Sequence, residues 1–120
     1  MAATSLKNFS SEKSFHTFVD KELNKIGFFF KKEALSIRGL PDEVGLANGR
    51  FVALELKKNL AETRKKTGRI VLQRYRLEQV CKAGGFGKLV CPETWDETYR
   101  ELCAHCKVDP LEESYLGSQP

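Results

Sequence analysis

Two acidic residues and a lysine stand in a pattern that suits metal-assisted chemistry on phosphate. Asp42 precedes an Asn48-Gly49 dipeptide, and Glu55-Leu56-Lys57 follows it. Asn-Gly is the strongest short signal for a two-residue β-hairpin turn, and a turn there makes Asp42 the cross-strand neighbour of Glu55. Opposed carboxylates repel unless a cation compensates, and Mg²⁺ or Mn²⁺ binds carboxylate, phosphate and water oxygens. The spacing therefore predicts a divalent-cation site for phosphate chemistry.

Strand alternation places Lys57 on the same face as Glu55, and it places Val52, Leu54 and Leu56 on the other face. We therefore expect the ammonium group of Lys57 to point toward the acidic pair. The alternative is that the two carboxylates are ordinary polar strand residues and that Lys57 pairs with one of them at the surface. Apolar residues on both strands weaken this alternative, because such strands are expected to be covered on both faces.

Length and composition are typical of one folded domain. The chain has 120 residues, 41% of them hydrophobic and 30% charged, which does not suggest a disordered or a membrane class. No apolar run approaches a membrane span, and the first residues lack the apolar stretch of a secretory signal. We therefore expect an intracellular protein, in the cytoplasm or nucleoid or in the cytoplasm of a viral host, with no membrane association.

Positive charge is concentrated in one segment. The net charge is +4, but residues 57–76 hold eight Lys/Arg and one acidic residue, Glu62. Such a cluster suits a polyanion groove, although a solvated charged loop is the commoner explanation of a charge run. The candidate phosphate contacts are Lys58, Arg64, Lys65, Lys66, Arg69, Arg74 and Arg76.

Periodicity and turn signals predict an α/β fold. Residues 10–26 favour an amphipathic helix that ends at Gly27. Short strands follow near residues 28–37, 42–47 and 50–57, then a polar loop at 58–68, a helix at about 70–83, a strand at 88–91 and a last helix around Trp95. The expected order is α-β-β-β-α-β-α, with a short mixed sheet flanked by helices. We predict a flexible segment at 1–9, one domain at 10–108 and a disordered tail at 109–120.

The motif spacing resembles a known nuclease superfamily. Gly39-Leu40-Pro41-Asp42, twelve residues and Glu55-Leu56-Lys57 resemble the PD-(D/E)xK nucleases, most closely their VRR-NUC (virus-type replication-repair nuclease) branch. That branch typically has a Glu-bearing helix ending in Gly and a later helix bearing Gln, which here are Glu12 with Gly27, and Gln73. The resemblance covers about residues 10–91 and implies a restriction-endonuclease-like core.

The resemblance also implies an activity and roles for individual residues. It implies a Mg²⁺- or Mn²⁺-dependent endonuclease in which Asp42, Glu55 and the Leu56 carbonyl hold the metal, helped by Glu12. Lys57 would act on the attacking water, and Gln73 would brace the site or touch the substrate backbone. Because small stand-alone members of the branch look like homodimeric endonucleases, the resemblance further implies a homodimer. Such a homodimer would cut branched DNA such as Holliday junctions in replication and DNA repair.

The roles of the two helix residues have alternatives. Glu12 precedes Phe15 and Val19 by three and seven positions, so it lies on the apolar face of its helix, but an acidic residue in a first turn also stabilises any helix. Glu22 is the second choice of ligand from that helix. Gln73 shares a helix face with Leu77. The alternative to a role in the site is that Gln73 is an exposed helix residue.

The same residues are compatible with other functions. A non-catalytic nucleic-acid-binding module, a sequence-specific restriction-type enzyme and an RNA nuclease are the alternatives. The helix of Trp95 and the segment Phe28–Phe30 are candidates for a dimer surface.

Free thiols are expected for the four cysteines. Cys103-Ala-His-Cys106 is only half of a zinc site, and the other two cysteines are Cys81 and Cys91.

Overall fold

The computed structural model describes residues 9–31 and 40–117. The elements follow the predicted order, with one additional short helix. The helices are α1 (Glu12–Leu23), α2 (Leu60–Thr63), α3 (Gly68–Lys82) and α4 (Trp95–Cys106), and the strands are β1 (Phe28–Lys31), β2 (Glu43–Ala47), β3 (Arg50–Leu56) and β4 (Phe86–Val90). The fold is therefore mixed α/β, as predicted from the sequence.

The strands form one mixed sheet in the order β1-β2-β3-β4. The first three strands are antiparallel, and β4 runs parallel to β3. Asn48 and Gly49 have φ angles of 52° and 78°, as a tight turn between two strands requires. The turn fixes the predicted register, with Ala47 opposite Arg50 and Glu43 opposite Leu54.

The main core lies between one sheet face and the helices α1 and α4. Apolar residues of β3 on this face are fully buried, and so are the apolar stripes of both helices; they include Phe15, Val19, Leu23, Val52, Leu54, Leu56, Trp95, Tyr99 and Leu102. Trp95 and its neighbours on α4 therefore pack inside the domain. The apolar stripe that suggested a dimer surface on this helix is thus covered within the domain.

The opposite sheet face is only partly covered. Helix α3 packs against β3 and β4 on this side, whereas Phe28, Phe30, Leu46 and Phe51 keep between 44% and 70% of their surface exposed. Open apolar surface thus lies beside the helix on the face that carries Glu55.

Side-chain caps explain where the long helices begin. The hydroxyl of Ser11 accepts a hydrogen bond from the Ser14 N–H at 3.1 Å, and the Ser14 hydroxyl accepts one from the Ser11 N–H at 3.2 Å. Thr67 caps α3 by accepting from the Ile70 N–H at 3.4 Å. The loop predicted at 58–68 contains α2, because Asn59 accepts a hydrogen bond from the Glu62 N–H at 2.9 Å and starts a helical turn.

The tail differs from its predicted disorder. Residues 109–117 pack against the domain: the Trp95 indole N–H donates to the Ser114 carbonyl at 2.7 Å, and Asp96 accepts from the N–H groups of Leu116 and Gly117 at 2.6 and 2.9 Å. Leu116 is buried in the core. The apolar contact and the partner for a buried indole N–H fix this segment despite its polar composition. Residues 118–120 lie outside the described residues.

The predicted flexible N-terminus and the predicted extension of the first strand fall mostly outside the described residues. Only Phe9 of the 1–9 segment is described. The centroid of its ring lies 5.3 Å from that of Phe15 and 5.4 Å from that of Phe18. None of the helices in the described ranges is both long and apolar enough to cross a membrane.

Replacing Gly45 with alanine tests the close packing of β1 on β2. A Cβ atom at this position would lie 2.1 Å from the Phe28 carbonyl oxygen and 2.7 Å from atoms of Phe29. Because both neighbours belong to the adjoining strand, we expect Gly45→Ala to lower the free energy of unfolding by about 2–3 kcal/mol. Urea unfolding monitored by circular dichroism measures this change.

Gly68→Ala is the matched control, because nothing lies within 4 Å of the Cβ position at the start of α3. We expect this variant to be as stable as the wild type or more stable by about 0.5 kcal/mol. Equal stability of Gly45→Ala and the wild type would contradict the described pairing of β1 with β2.

Candidate functional site

The hairpin brings Asp42 to the end of β3, as its spacing predicts. Asp42 directly precedes β2, and its Oδ2 accepts a hydrogen bond from the Leu56 N–H at 2.9 Å. The carboxylate is thus tied to the backbone between Glu55 and Lys57. Only 16% of the Asp42 side chain is exposed, so its orientation is fixed by the strand that it contacts.

Glu55 lies at the centre of the site. The side-chain amide of Gln73 donates a hydrogen bond to Glu55 Oε2 at 2.7 Å, and Lys57 Nζ lies 3.5 Å from the same oxygen. All three residues are buried, with Gln73 and Glu55 each 2% exposed. Hydrogen bonding and burial hold the Glu55 carboxylate in one position, because a buried charge is costly unless it is paired. Gln73 is therefore a bracing residue in the structure rather than an exposed helix residue.

A histidine that was not singled out in the sequence connects Glu12 to this site. Glu12 is exposed at the start of α1, and its Oε2 lies 3.3 Å from His16 Nε2. The same nitrogen lies 4.0 Å from Asp42 Oδ2. The imidazole thus lies between the two carboxylates. Its position four residues after Glu12 on one helix face is the signal that would have indicated it.

Glu22, the second choice of ligand from α1, is engaged elsewhere. Its Oε1 accepts a hydrogen bond from the Ser114 hydroxyl at 2.7 Å and lies 2.9 Å from Lys25 Nζ. These contacts join α1 to the tail. They give Glu22 a structural role, whereas Glu12 remains the candidate ligand from this helix.

The basic residues divide into exposed and engaged groups. Arg74 donates hydrogen bonds to the carbonyls of Thr63 and Lys65, the latter at 3.1 Å, and so braces the loop before α3. Lys65 Nζ lies 2.9 Å from Glu62 Oε2. The cationic side chains that extend into solvent around this loop are Lys58, Arg64, Lys66 and Arg69. Arg76 is half-buried and faces a groove beside the site.

A second buried carboxyl group lies directly next to Asp42. Glu43 is fully buried on the core-facing side of β2, and its oxygens have no hydrogen-bond partner of good geometry among the described residues. Burial raises the pKa of Glu43 to about 9, and the carboxylates of Asp20 and Asp42 act in the same direction, whereas Lys31 opposes them. Glu43 is therefore uncharged at neutral pH and adds no negative charge to the site.

Glu43→Gln tests this protonation state through stability. Between about pH 4.5 and 9 the unfolded chain releases the Glu43 proton and the folded chain keeps it, so rising pH favours unfolding over this window and no longer does so above it. Between pH 5 and 8 we expect the unfolding free energy of the variant to fall by about 4 kcal/mol less than that of the wild type. Urea unfolding at both pH values, in chelator, measures the difference.

Glu97→Gln serves as the control, since Glu97 is exposed on α4. Its stability should follow the wild-type pH dependence. Parallel curves for Glu43→Gln and the wild type would show that Glu43 is ionised in the folded protein.

Two carboxylates are the metal-binding groups that the site offers. Within residues 9–31 and 40–117, no group of three or more His, Cys, Asp or Glu side chains is arranged to hold a metal ion. Mg²⁺ is commonly held by one or two carboxylates together with waters and substrate phosphates. Asp42 and Glu55 fit this donor chemistry.

The cysteines lie away from these carboxylates as free thiols. Cys91, Cys103 and Cys106 are buried and Cys81 is exposed. Burial raises the pKa of each of the three buried thiols, so they are packing residues in their protonated form.

Comparison with known proteins found no matching family model, no matching curated protein and no matching solved structure. Of the residues that carry the nuclease-like motif, Gly39 lies outside the described part of the chain, and Asp42, Glu55, Lys57 and Gln73 come together at one end of the sheet.

Proposed function

We propose that the protein is a metal-dependent phosphodiesterase that cuts DNA, with Asp42, Glu55 and Lys57 at its active centre. The observation that carries this proposal is the convergence of these residues and Gln73 from three elements, with Glu55 held by both Gln73 and Lys57. A buried Glu55 beside a buried Lys57 is expensive to maintain, and together with Asp42 bound to the same strand end it favours a chemical role over a structural one.

The carboxylates of Asp42 and Glu55, with the Leu56 carbonyl, would hold Mg²⁺ or Mn²⁺, and Glu12 would reach the ion directly or through water. When bound, the metal would polarise the phosphate and lower the pKa of a bound water. Lys57 would orient or deprotonate the attacking water and offset negative charge on the phosphorus. Gln73 would keep the Glu55 carboxylate in its position, and the Leu56 N–H would do the same for Asp42.

The surroundings of the site support a nucleic-acid substrate, and we propose that the activity is intracellular. Lys58, Arg64, Lys66 and Arg69 extend into solvent on the segment that follows Lys57, where they would contact the phosphate backbone without reading bases. The resemblance to the VRR-NUC branch favours branched DNA such as a Holliday junction. A homodimer with two-fold symmetry would place two such sites on the symmetric strands of a junction.

A panel of labelled substrates tests this function. The protein is incubated with a four-way junction, a flap, a linear duplex and a matched RNA, each with Mg²⁺, with Mn²⁺ or with chelator. We expect metal-dependent cleavage, strongest on the junction. Intact substrates with both metals, together with equal junction binding in chelator, would overturn the proposal in favour of a non-catalytic nucleic-acid-binding module; cleavage of linear duplex at fixed sequences would indicate a restriction-type enzyme.

A further inference from the structure

A large apolar groove lies beside the candidate centre, on the sheet face that carries Glu55. Its volume is about 820 Å³, within the range of small-molecule and cofactor pockets. The floor includes Phe30, Val44, Phe51 and Ala53, and α3 forms one wall. Of these floor residues, only Phe30 was given a role from the sequence, as part of a candidate dimer surface.

The strand register places the groove next to the acidic pair. Phe30, Val44 and Ala53 form one cross-strand row on β1, β2 and β3. Asp42 precedes Val44 by two residues, and Glu55 follows Ala53 by two residues. Two residues correspond to roughly 7 Å along a strand. A ligand lying in the groove would therefore extend to the site where the phosphodiester is proposed to be cut.

The floor exposes two aromatic rings. Phe30 and Phe51 retain 53% and 44% of their surface, although phenylalanine is among the residues that are most often buried. Exposed rings on a rigid sheet suit stacking with a flat apolar ligand, and nucleobases stack on aromatic side chains without regard to sequence.

The charges around the groove are complementary to phosphate. Among the described residues, the charged side chains that line the groove are Lys31 and Arg76, and both are positive. The Nε–H of Arg76 is buried and has no hydrogen-bond partner within the described ranges. Since buried donors are normally paired, this group lacks an acceptor that a ligand would supply. A nucleotide provides both a flat base and an anion, whereas a second copy of the chain would have to offer an acidic group at this position.

We propose that this groove binds an unpaired DNA nucleotide adjacent to the phosphodiester that the protein cuts. The base stacks on Phe30 and Phe51, and its phosphate contacts Lys31 and Arg76. This inference rests on the proposed nuclease function and deepens it, since it makes unpaired or unstacked nucleotides near the cleavage point the feature that selects the substrate. Branch points and bulges supply such nucleotides, and a continuous duplex does not.

A fluorescent base analogue tests the groove without cleavage. Two probes carry 2-aminopurine, one at a single-nucleotide bulge and one at the matched paired position of a duplex, and both are titrated with protein in chelator. We expect a fluorescence change and tighter binding with the bulged probe. Phe51→Ala should weaken binding of that probe by about tenfold and leave the paired probe unchanged, and Arg76→Gln should act in the same direction.

Phe28→Ala is the matched control, because Phe28 is 70% exposed on the same sheet face and does not line the groove. It should bind both probes as the wild type does. Equal affinity of the wild type for both probes would overturn the proposal, and so would an equal loss of affinity for the bulged probe in Phe28→Ala and Phe51→Ala. A lower molecular mass of Phe51→Ala in analytical ultracentrifugation, with unchanged probe binding, would also overturn it, because the groove would then be an interface between copies of the chain.

Cleavage assays separate this inference from the proposed function. Bulge-specific binding that depends on Phe51, with every substrate left intact in Mg²⁺ and Mn²⁺, would support the groove and defeat the nuclease. Metal-dependent cleavage that is indifferent to unpaired nucleotides, with no response from the bulged probe, would support the nuclease and defeat the groove.

Discussion

Asp42→Asn is expected to lower the rate of DNA cleavage by at least roughly 10³-fold, because it removes one of the two carboxylates that we propose as metal ligands. The asparagine oxygen is still able to accept the hydrogen bond that the Leu56 N–H donates to Asp42 at 2.9 Å, so we expect the fold to be kept. Single-turnover cleavage of a labelled junction measures the rate, and circular dichroism checks the fold.

Asp109→Asn is the control for this variant, since Asp109 is exposed on the tail. Its cleavage rate should equal that of the wild type. Junction binding without divalent metal should be unchanged or tighter in Asp42→Asn, because less negative charge then faces the DNA phosphates. A rate within tenfold of the wild type would exclude Asp42 from the metal centre.

Lys57→Met is expected to lower the single-turnover rate by about 10²- to 10³-fold. The methionine keeps much of the buried volume and removes the ammonium group that lies 3.5 Å from Glu55 Oε2. If Lys57 acts on the attacking water, the loss should appear in the cleavage step, and the affinity for junction DNA measured in chelator should fall by less than about threefold.

The neighbouring residue offers a control for the loss of one positive charge. Lys58 is exposed whereas Lys57 is buried, so Lys58→Met should weaken DNA binding slightly and leave the cleavage step intact. Equal rate losses in the two variants would mean that Lys57 contributes only general electrostatic attraction to the DNA.

The register of the central hairpin was predictable because local sequence determines it. Two residues with positive φ at Asn48 and Gly49 allow one tight turn, and the alternation of side chains then assigns every position of β2 and β3 to a face. The proximity of Asp42 to Glu55 followed from this count. The contact between Gln73 and Glu55 required a tertiary arrangement, and the family resemblance, rather than the periodicity of α3, pointed to it.

Other parts of the site and fold depend on contacts distant in sequence. The order of residues 109–117 arises because Trp95 and Asp96 bind their backbone, which the polar composition of the tail does not reveal. The burial of Glu43 follows from the same register that positions Asp42, because alternation turns it to the core face. Its neutral state, however, depends on burial together with the neighbouring Asp20 carboxylate on α1, and the position of Asp20 cannot be derived from strand spacing.

The groove was missed in the sequence for a similar reason. Phe30 and Phe51 are typical of buried strand positions, and sequence patterns assume that both sheet faces are covered. Among the described elements, α3 covers β3 and β4, whereas the aromatic side chains of β1 and the start of β3 stay exposed. The unequal covering of this face is a property of the packing, and it places aromatic surface directly beside the acidic pair.

The most direct test of the proposed metal-dependent cleavage is the addition of metal to a preformed protein–DNA complex. The wild-type protein is bound to an end-labelled four-way junction without divalent ions, and Mg²⁺ is then added to one half of the sample while chelator is added to the other. We expect cleavage within a single turnover in the Mg²⁺ half alone, from a complex that is equally populated in both halves. A junction that stays bound and intact after addition of Mg²⁺ or Mn²⁺ would contradict the assignment of Asp42, Glu55 and Lys57 as a phosphodiesterase centre.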